Sequence, residues 1–315
     1  MASRTPPLLE PYLGLPPEAS LIVLTGVLGA STNWLVQRYL CRFLAPSAAT
    51  STGADRNAHR TAVGEEADSS SPDDGDAASV VLVSFLRDYA FWKEGAGRIG
   101  VDLDASAKKG KFVFVDGLSK LFSGGPSVSA PGVSSPGDAS GKVLSDSTLH
   151  ELRKQLTEAV TQLRQQSQSS KIVLILDSPD LLLAAAGKTV TGAALQDLLL
   201  DIREEVHSSI VTLAADEPLL SAQTTTLEKE HAAFAISFAH AADMIISLRM
   251  LDTGTAKDVS GVLRVAQKAQ AQAQEKIESC FISLLVTGAF ACLNVGNKFN
   301  IRDSVNKGSN FQKLQ

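Results

Sequence analysis

Leu21-Ile22-Val23-Leu24-Thr25 runs without a break into Gly26-Val27-Leu28-Gly29-Ala30-Ser31-Thr32-Asn33, and the reading of the chain turns on this junction. Aliphatic and β-branched residues predict a buried strand, the glycines a turn, and the run from Asn33 a helix. Strand, glycine turn and helix in that order are the outline of a phosphate loop, in which backbone N–H groups and a helix N-terminus face an anion. A functional loop of this type also needs a lysine for the β- and γ-phosphates and a hydroxyl for the metal. With Gly26 and Gly29 set on the loop glycines, Ser31 replaces the last glycine, Thr32 the lysine, and Asn33 the hydroxyl residue. The loop holds no basic residue, and Arg38, the nearest one, lies a turn into the helix. The phosphate loop is degenerate: the scaffold for a nucleotide is there without the charge to grip one.

The helix is predicted over Asn33 to Leu44, capped by Ser31 or Thr32 and stopped before Pro46. Beyond it, Ser47 to Ser79 is rich in Ala, Ser, Asp and Gly, and Ser123 to Ser147 in Ser, Gly and Pro. Neither stretch has the apolar content to offset its ordering entropy, so disordered insertions are expected at about 47–79 and 123–147. Between and after them, strands are expected at Val80–Phe85, Lys111–Asp116, Ile172–Asp177 and Ile210–Ala214, apolar on both faces as covered parallel strands are. Helices are expected within Arg87–Ala107, from Leu149 with Thr148 and Glu151 as a capping box, along Leu195–Val206, and over Leu227–Ala241 opened by Thr225 and Glu228. Met244–Leu251 and Gly261–Val265 read as a closing antiparallel hairpin. The fold class is therefore α/β, a mostly parallel central sheet flanked by helices, with an N-terminal extension over 1–20 and the main domain over 21–265.

Residues 266–315 break this logic. A Gln/Ala repeat precedes an apolar run from Cys280 to Val295, which ends in a basic stretch containing Lys298, Arg302, Lys307 and Lys313. The apolar run is shorter than the roughly 20 residues a bilayer requires, so a strand or helix closing the domain is favoured over a membrane tail anchor.

The formal charge of −5 argues against non-specific coating of nucleic acid, and three cysteines without C-x-x-C spacing argue against a zinc site or a disulfide framework. The five histidines are scattered, no metal is expected, and no nucleophile with a base beside it can be read. Asp177 ends its strand as the magnesium-side aspartate of an ATPase would, but a strand ending in Asp before the turn Asp177-Ser178-Pro179-Asp180 also arises for loop reasons alone. A basic region with Lys93, Arg98, Lys108, Lys109, Lys111 and Lys120 lies among Tyr89, Phe91 and Trp92. It fits an RNA-contact edge, phosphates on lysines and bases on aromatics, although Asp88, Glu94, Asp102 and Asp104 interleave.

Val81-Leu82-Val83-Ser84-Phe85-Leu86-Arg87-Asp88 with Phe91-Trp92, and Phe112-Val113-Phe114-Val115-Asp116-Gly117-Leu118, resemble the sixth subunit of the Elongator complex in the form filamentous fungi carry. Asp177-Ser178-Pro179-Asp180, Asp243 through Leu251, and Val259 through Arg264 add to the likeness, which covers roughly Leu8 to Val265. The resemblance implies a RecA-like domain that joins the fourth and fifth Elongator subunits in a six-membered ring, two copies of each. It further implies that the ring binds tRNA and attaches to the remaining core subunits, which modify the wobble uridine, with the chemistry in another subunit. On that reading the chain is not an enzyme, takes no cofactor, needs no membrane, and works in the cytoplasm with the nucleus left open. Its RNA-contact candidates are Arg87, Lys93, Arg98, Lys108 and Lys109. In related ATPases a catalytic glutamate follows the second strand, where Leu86-Arg87-Asp88 stands here. The other readings are an active RecA- or circadian-type ATPase with an unorthodox loop, and a tail-anchored α/β protein.

Overall fold

The computed structural model describes residues 8–44, 78–120, 141–167, 171–251, 259–268, 279–285 and 290–295. The aliphatic runs form strands β1 (Ser20–Gly26), β2 (Ser79–Ser84), β3 (Phe112–Asp116), β4 (Gly141–Val143), β5 (Ile172–Asp177), β6 (Ser208–Ala214), β7 (Met244–Arg249), β8 (Val259–Gln267), β9 (Ser279–Leu285) and β10 (Phe290–Val295). They join one ten-stranded sheet in the order β10-β9-β8-β7-β1-β6-β5-β2-β3-β4. From β7 to β4 every pairing is parallel, and β7 through β10 pair antiparallel. β6 lies between β1 and β5, an order that no local pattern in the sequence gives.

Period-two alternation divides the strand side chains between two cores. Leu21 and Val23 of β1 and Val81 and Val83 of β2 pack under α4 (Leu149–Gln166), α5 (Leu181–Ala186), α6 (Gly192–Glu204) and α7 (Thr226–Ala241). Ile22, Leu24, Val80 and Leu82 pack under α1 (Asn33–Leu44), α2 (Tyr89–Arg98) and α3 (Leu103–Lys108). Leu9 and Leu13 of the N-terminal extension also enter this second core. The Tyr39 hydroxyl, fully buried on α1, donates to the Tyr12 carbonyl at 2.8 Å and so ties the extension to the helix. Burial drives that hydroxyl's pKa well above its ordinary value.

Three expectations need correction. The second insertion, placed at about 123–147, ends sooner: Gly141–Val143 forms β4 against β3, and Leu144 is buried. A strand this short, with one apolar residue in it, leaves no periodic signal. Thr148 accepts the Glu151 N–H at 3.3 Å, but the Glu151 carboxylate turns to Gln155 at 3.0 Å instead of closing a capping box. The complete box is at Thr225 and Glu228. β8 runs on to Gln267, and β9 and β10 carry the sheet beyond residue 265. The first insertion from residue 47 to 77 and the Gln/Ala repeat lie outside the described residues.

Candidate functional site: the carboxyl ends of the strands

Open α/β sheets bind ligands beyond the carboxyl ends of their strands, which here brings together the β1–α1 turn, Asp177 and the segments after β2 and β6. The turn is tight. Ala30 N–H donates to Val27 O at 2.8 Å, and Val27 and Ala30 form an isolated antiparallel bridge. Gly26 is required at the turn's entry, since a Cβ there would lie 2.7 Å from the Ala30 carbonyl. Gly29 has φ +90°, and a Cβ there would lie 3.3 Å from the sulfur of Met250, the residue after β7. Thr32 offers its carbonyl to Leu35 and Val36, starting α1, while Ser31 Oγ accepts the Asn33 N–H at 3.2 Å. The Leu28 N–H, one of the backbone donors of the turn, donates to Asp216 Oδ1 at 2.7 Å. A carboxylate from the β6–α7 connection therefore takes one of the turn's N–H donors.

Asp177 is equally committed. Its Oδ2 accepts from Ser84 Oγ at 2.7 Å and its Oδ1 from Thr212 Oγ1 at 3.0 Å, so hydroxyls from β2 and β6 clamp it from both sides. The same hydroxyls accept from Arg87 N–H and Ser178 N–H, fixing the chain that leaves β2 and β5. Asp177 is 1% exposed, and burial raises its pKa against the opposing pull of the two hydroxyls and of Arg87. With β6 intervening, it lies two strand spacings, about 10 Å, from β1. Asp88, four residues past the end of β2, caps α2 by accepting the Phe91 N–H at 3.0 Å.

Behind this rim is a pair that sequence reasoning missed. Asp180 and His231 are 6% and 5% exposed, with Asp180 Oδ2 3.7 Å from His231 Nδ1. His231 Nε2 lies 2.9 Å from the Ala214 carbonyl, so one imidazole joins α7 to β6 and to the turn after β5. Asp180 Oδ1 is buried with no partner. Burial pushes the Asp180 carboxyl up to about 6, with His231 pulling the other way. The available signal was His231 on the inward face of α7, three residues before the buried Phe234.

The basic candidates do not all converge. Lys93 is ion-paired with Asp104 at 2.6 Å, and Arg98 with Glu94 at 2.6 Å. The Arg87 guanidinium stands 5.1 Å from the Phe91 ring centroid, at the carboxyl end of β2. Lys108 and Lys109 are exposed at the end of α3, just before β3 begins, and so at the opposite end of the sheet. The length of β3, about 17 Å, separates them from Arg87, whereas Lys93 reaches across to Asp104 of α3, a carboxylate that also feels Lys108. Trp92 is fully buried, its ring edge-on to Phe91, and thus packs on protein. Tyr89 donates to Asp104 at 2.5 Å, and its hydroxyl pKa is raised by burial and by that carboxylate.

The family model described as Elongation complex protein 6 matches residues 76–283. The chain belongs to the Elongation complex protein 6 family. It is thus a member of the sixth-subunit family of Elongator, and the match extends through β8 into β9, past the limit at Val265 read from the sequence. The chain is also similar to a KaiC-like protein from the hyperthermophilic archaeon Pyrococcus horikoshii OT3, at 13% identity and a TM-score of 0.48, covering 90% of this chain and 96% of that one. No curated protein matches it. Among the described residues no three His, Cys, Asp or Glu side chains are grouped to hold a metal, and no helix is long and apolar enough to cross a membrane.

Proposed function

We propose that the chain is a non-catalytic member of the Elongator accessory ring, assembled with the fourth and fifth subunits and supporting tRNA binding and wobble-uridine modification from the cytoplasm. The observation that carries this reading is the Leu28 N–H held by Asp216 in a loop without lysine. An internal carboxylate at that position repels a triphosphate, and the loop from Gly26 to Asn33 supplies no cation to neutralise phosphoryl charge as transfer requires. Asp177 supports the same reading, since both its oxygens hold protein hydroxyls. Arg87, Lys108 and Lys109 are the basic groups offered to tRNA phosphates, with Lys93 and Arg98 contributing less because each already faces a carboxylate.

Tagged full-length chain is expected to co-purify with the fourth and fifth subunits, and the chain purified alone to show no ATP turnover above that of an Asp177→Asn variant. Turnover abolished by Asp177→Asn, or capture without those subunits, would overturn the reading.

A further inference from the structure

The buried Asp180–His231 pair lies where three elements meet. Asp180 comes from the turn between β5 and α5 and His231 from α7, and both reach Ala214, the last residue of β6. The imidazole Nε2 is 2.9 Å from the Ala214 carbonyl, and the Ala214 N–H favours the Asp180 carboxylate. A carbonyl only accepts, so Nε2 carries the hydrogen. Nδ1 therefore faces Asp180 Oδ2 across 3.7 Å, and the two are compatible only with a proton on one of them. Without it, a nitrogen lone pair opposes a buried carboxylate whose other oxygen, Oδ1, has no partner.

Ala214 leads directly into the β6–α7 connection. Ala215 N–H donates to Gly26 O at 2.8 Å, Asp216 takes the Leu28 N–H, and a single π-helical turn follows over Pro218–Ala222. The backbone is strained at two points of this assembly. Ser178, two residues before Asp180, has φ +54°, and Gln223, just past the π-helical turn, has φ +43°. Neighbouring charges do not relieve the pair. Asp177 on β5 is a second buried carboxyl that repels an ionised Asp180, and Arg87 acts on Asp177. α5 and β6 carry no titratable side chain, and Lys229 of α7 is exposed. Asp216 is turned to Leu28, Glu228 to Thr225, and Glu230 to Gly192.

We propose that Asp180 and His231 form a proton-operated latch on the β6–α7 connection. With the proton in place they hold Ala214, and through it Asp216 in the β1–α1 turn. Once the proton passes to solvent, the connection leaves the turn. The latch works within this chain and does not depend on the ring-subunit reading.

Hydrogen exchange of the full-length chain at about pH 5 and about pH 7.5, corrected for intrinsic rates, reads the latch through peptides spanning 26–31 and 214–222. Opening frees a carboxyl that burial has raised to about 6, so protection of both peptides in wild type is expected to fall about tenfold between the two conditions. Both are expected to exchange faster than α4 throughout, as a local opening does. Asp180→Asn, which keeps a donor toward Nδ1 and cannot ionise, is expected to show no such fall. His231→Phe, which fills similar space without a nitrogen for Ala214, is expected to leave 214–222 as weakly protected at the lower pH as wild type is at the higher, with α4 still protected. The wild-type and Asp180→Asn results decide the matter if His231→Phe does not fold. Equal protection at both pH values in wild type, the same fall in Asp180→Asn, wild-type protection of 214–222 in a folded His231→Phe, or exchange no faster than that of α4 would each overturn the latch.

Discussion

Two aspartates at the carboxyl ends of the strands show how differently the fold treats the same side chain. Asp177 has both oxygens hydrogen-bonded, whereas Asp180 has a buried oxygen without a partner and a histidine for a neighbour. Burial raises Asp180 from 3.8 to about 6, with the Asp177 charge also raising it and His231 opposing. The folded state therefore holds a proton that the unfolded chain has released over this interval. The stabilisation is fully present below about 3.8 and is lost as pH rises through about 6. Asp104, Asp146, Glu151 and Glu228 have the opposite shift, their carboxylates held low chiefly by side-chain hydrogen bonds. They mask the Asp180 slope in a simple pH profile, but cancel when a variant is compared with wild type. Asp180→Asn is therefore expected to gain on wild type by about 2 kcal/mol between pH 4.5 and pH 7.5. Urea melts of both proteins at the two pH values measure this, and a constant difference would show that Asp180 does not titrate in that window.

Two helices that read alike in sequence end up differently capped. The Thr-x-x-Glu pattern occurs at Thr148–Glu151 and at Thr225–Glu228, but only the second closes. At α4, Asp146 accepts from both the N–H and the hydroxyl of Thr148, at 2.8 and 2.5 Å, and the Glu151 carboxylate is shared between Gln155 and Ser145. At α7, Glu228 reaches back to the N–H groups of Thr224 and Thr225, at 2.6 and 3.0 Å. A competing acceptor two residues upstream is the physical difference, and its effect depends on backbone geometry that the pattern does not encode. α7 also carries Glu230, which accepts the Gly192 N–H at 2.7 Å and so satisfies the first turn of α6. Thr225→Ala is expected to cost about 1 kcal/mol, the usual loss for a hydroxyl cap, read as a lower urea midpoint with an unchanged slope. An unchanged midpoint would mean that α7 is held by its buried face alone.

At the scale of the whole chain, what was legible in the sequence is what local patterns encode. Continuous aliphatic runs showed covered parallel strands, and three-and-four spacing showed the helices. Strand order was beyond local pattern, because nothing in Ser208–Ala214 says that it inserts between β1 and β5. The Leu28–Asp216 contact was invisible for the same reason, since it joins residues 188 apart. The extent of the domain is the instructive case. The family match begins at residue 76, yet β1 lies inside the sheet, paired with β6 from Ser20 to Gly26 and with β7 from Ile22 to Thr25. The segment between α1 and β2 is a closed excursion, because Ala78 N–H donates to Phe43 O at 3.3 Å and so its ends meet. Replacing Pro46–Asp76 with Gly-Ser-Gly-Ser shortens a loop whose closure cost grows only logarithmically with length. Stability is expected to hold or rise by up to about 2 kcal/mol. A chain beginning at Asp76 removes β1 and α1 instead, leaving β6 and β7 without their shared neighbour and the second core without Leu35, Tyr39 and Phe43. That chain is expected to give no cooperative urea transition and no near-ultraviolet circular dichroism, and the loop-replaced protein to keep both. If the chain from Asp76 unfolded cooperatively, β1 would be dispensable, and the core would lie in the family-matched segment alone.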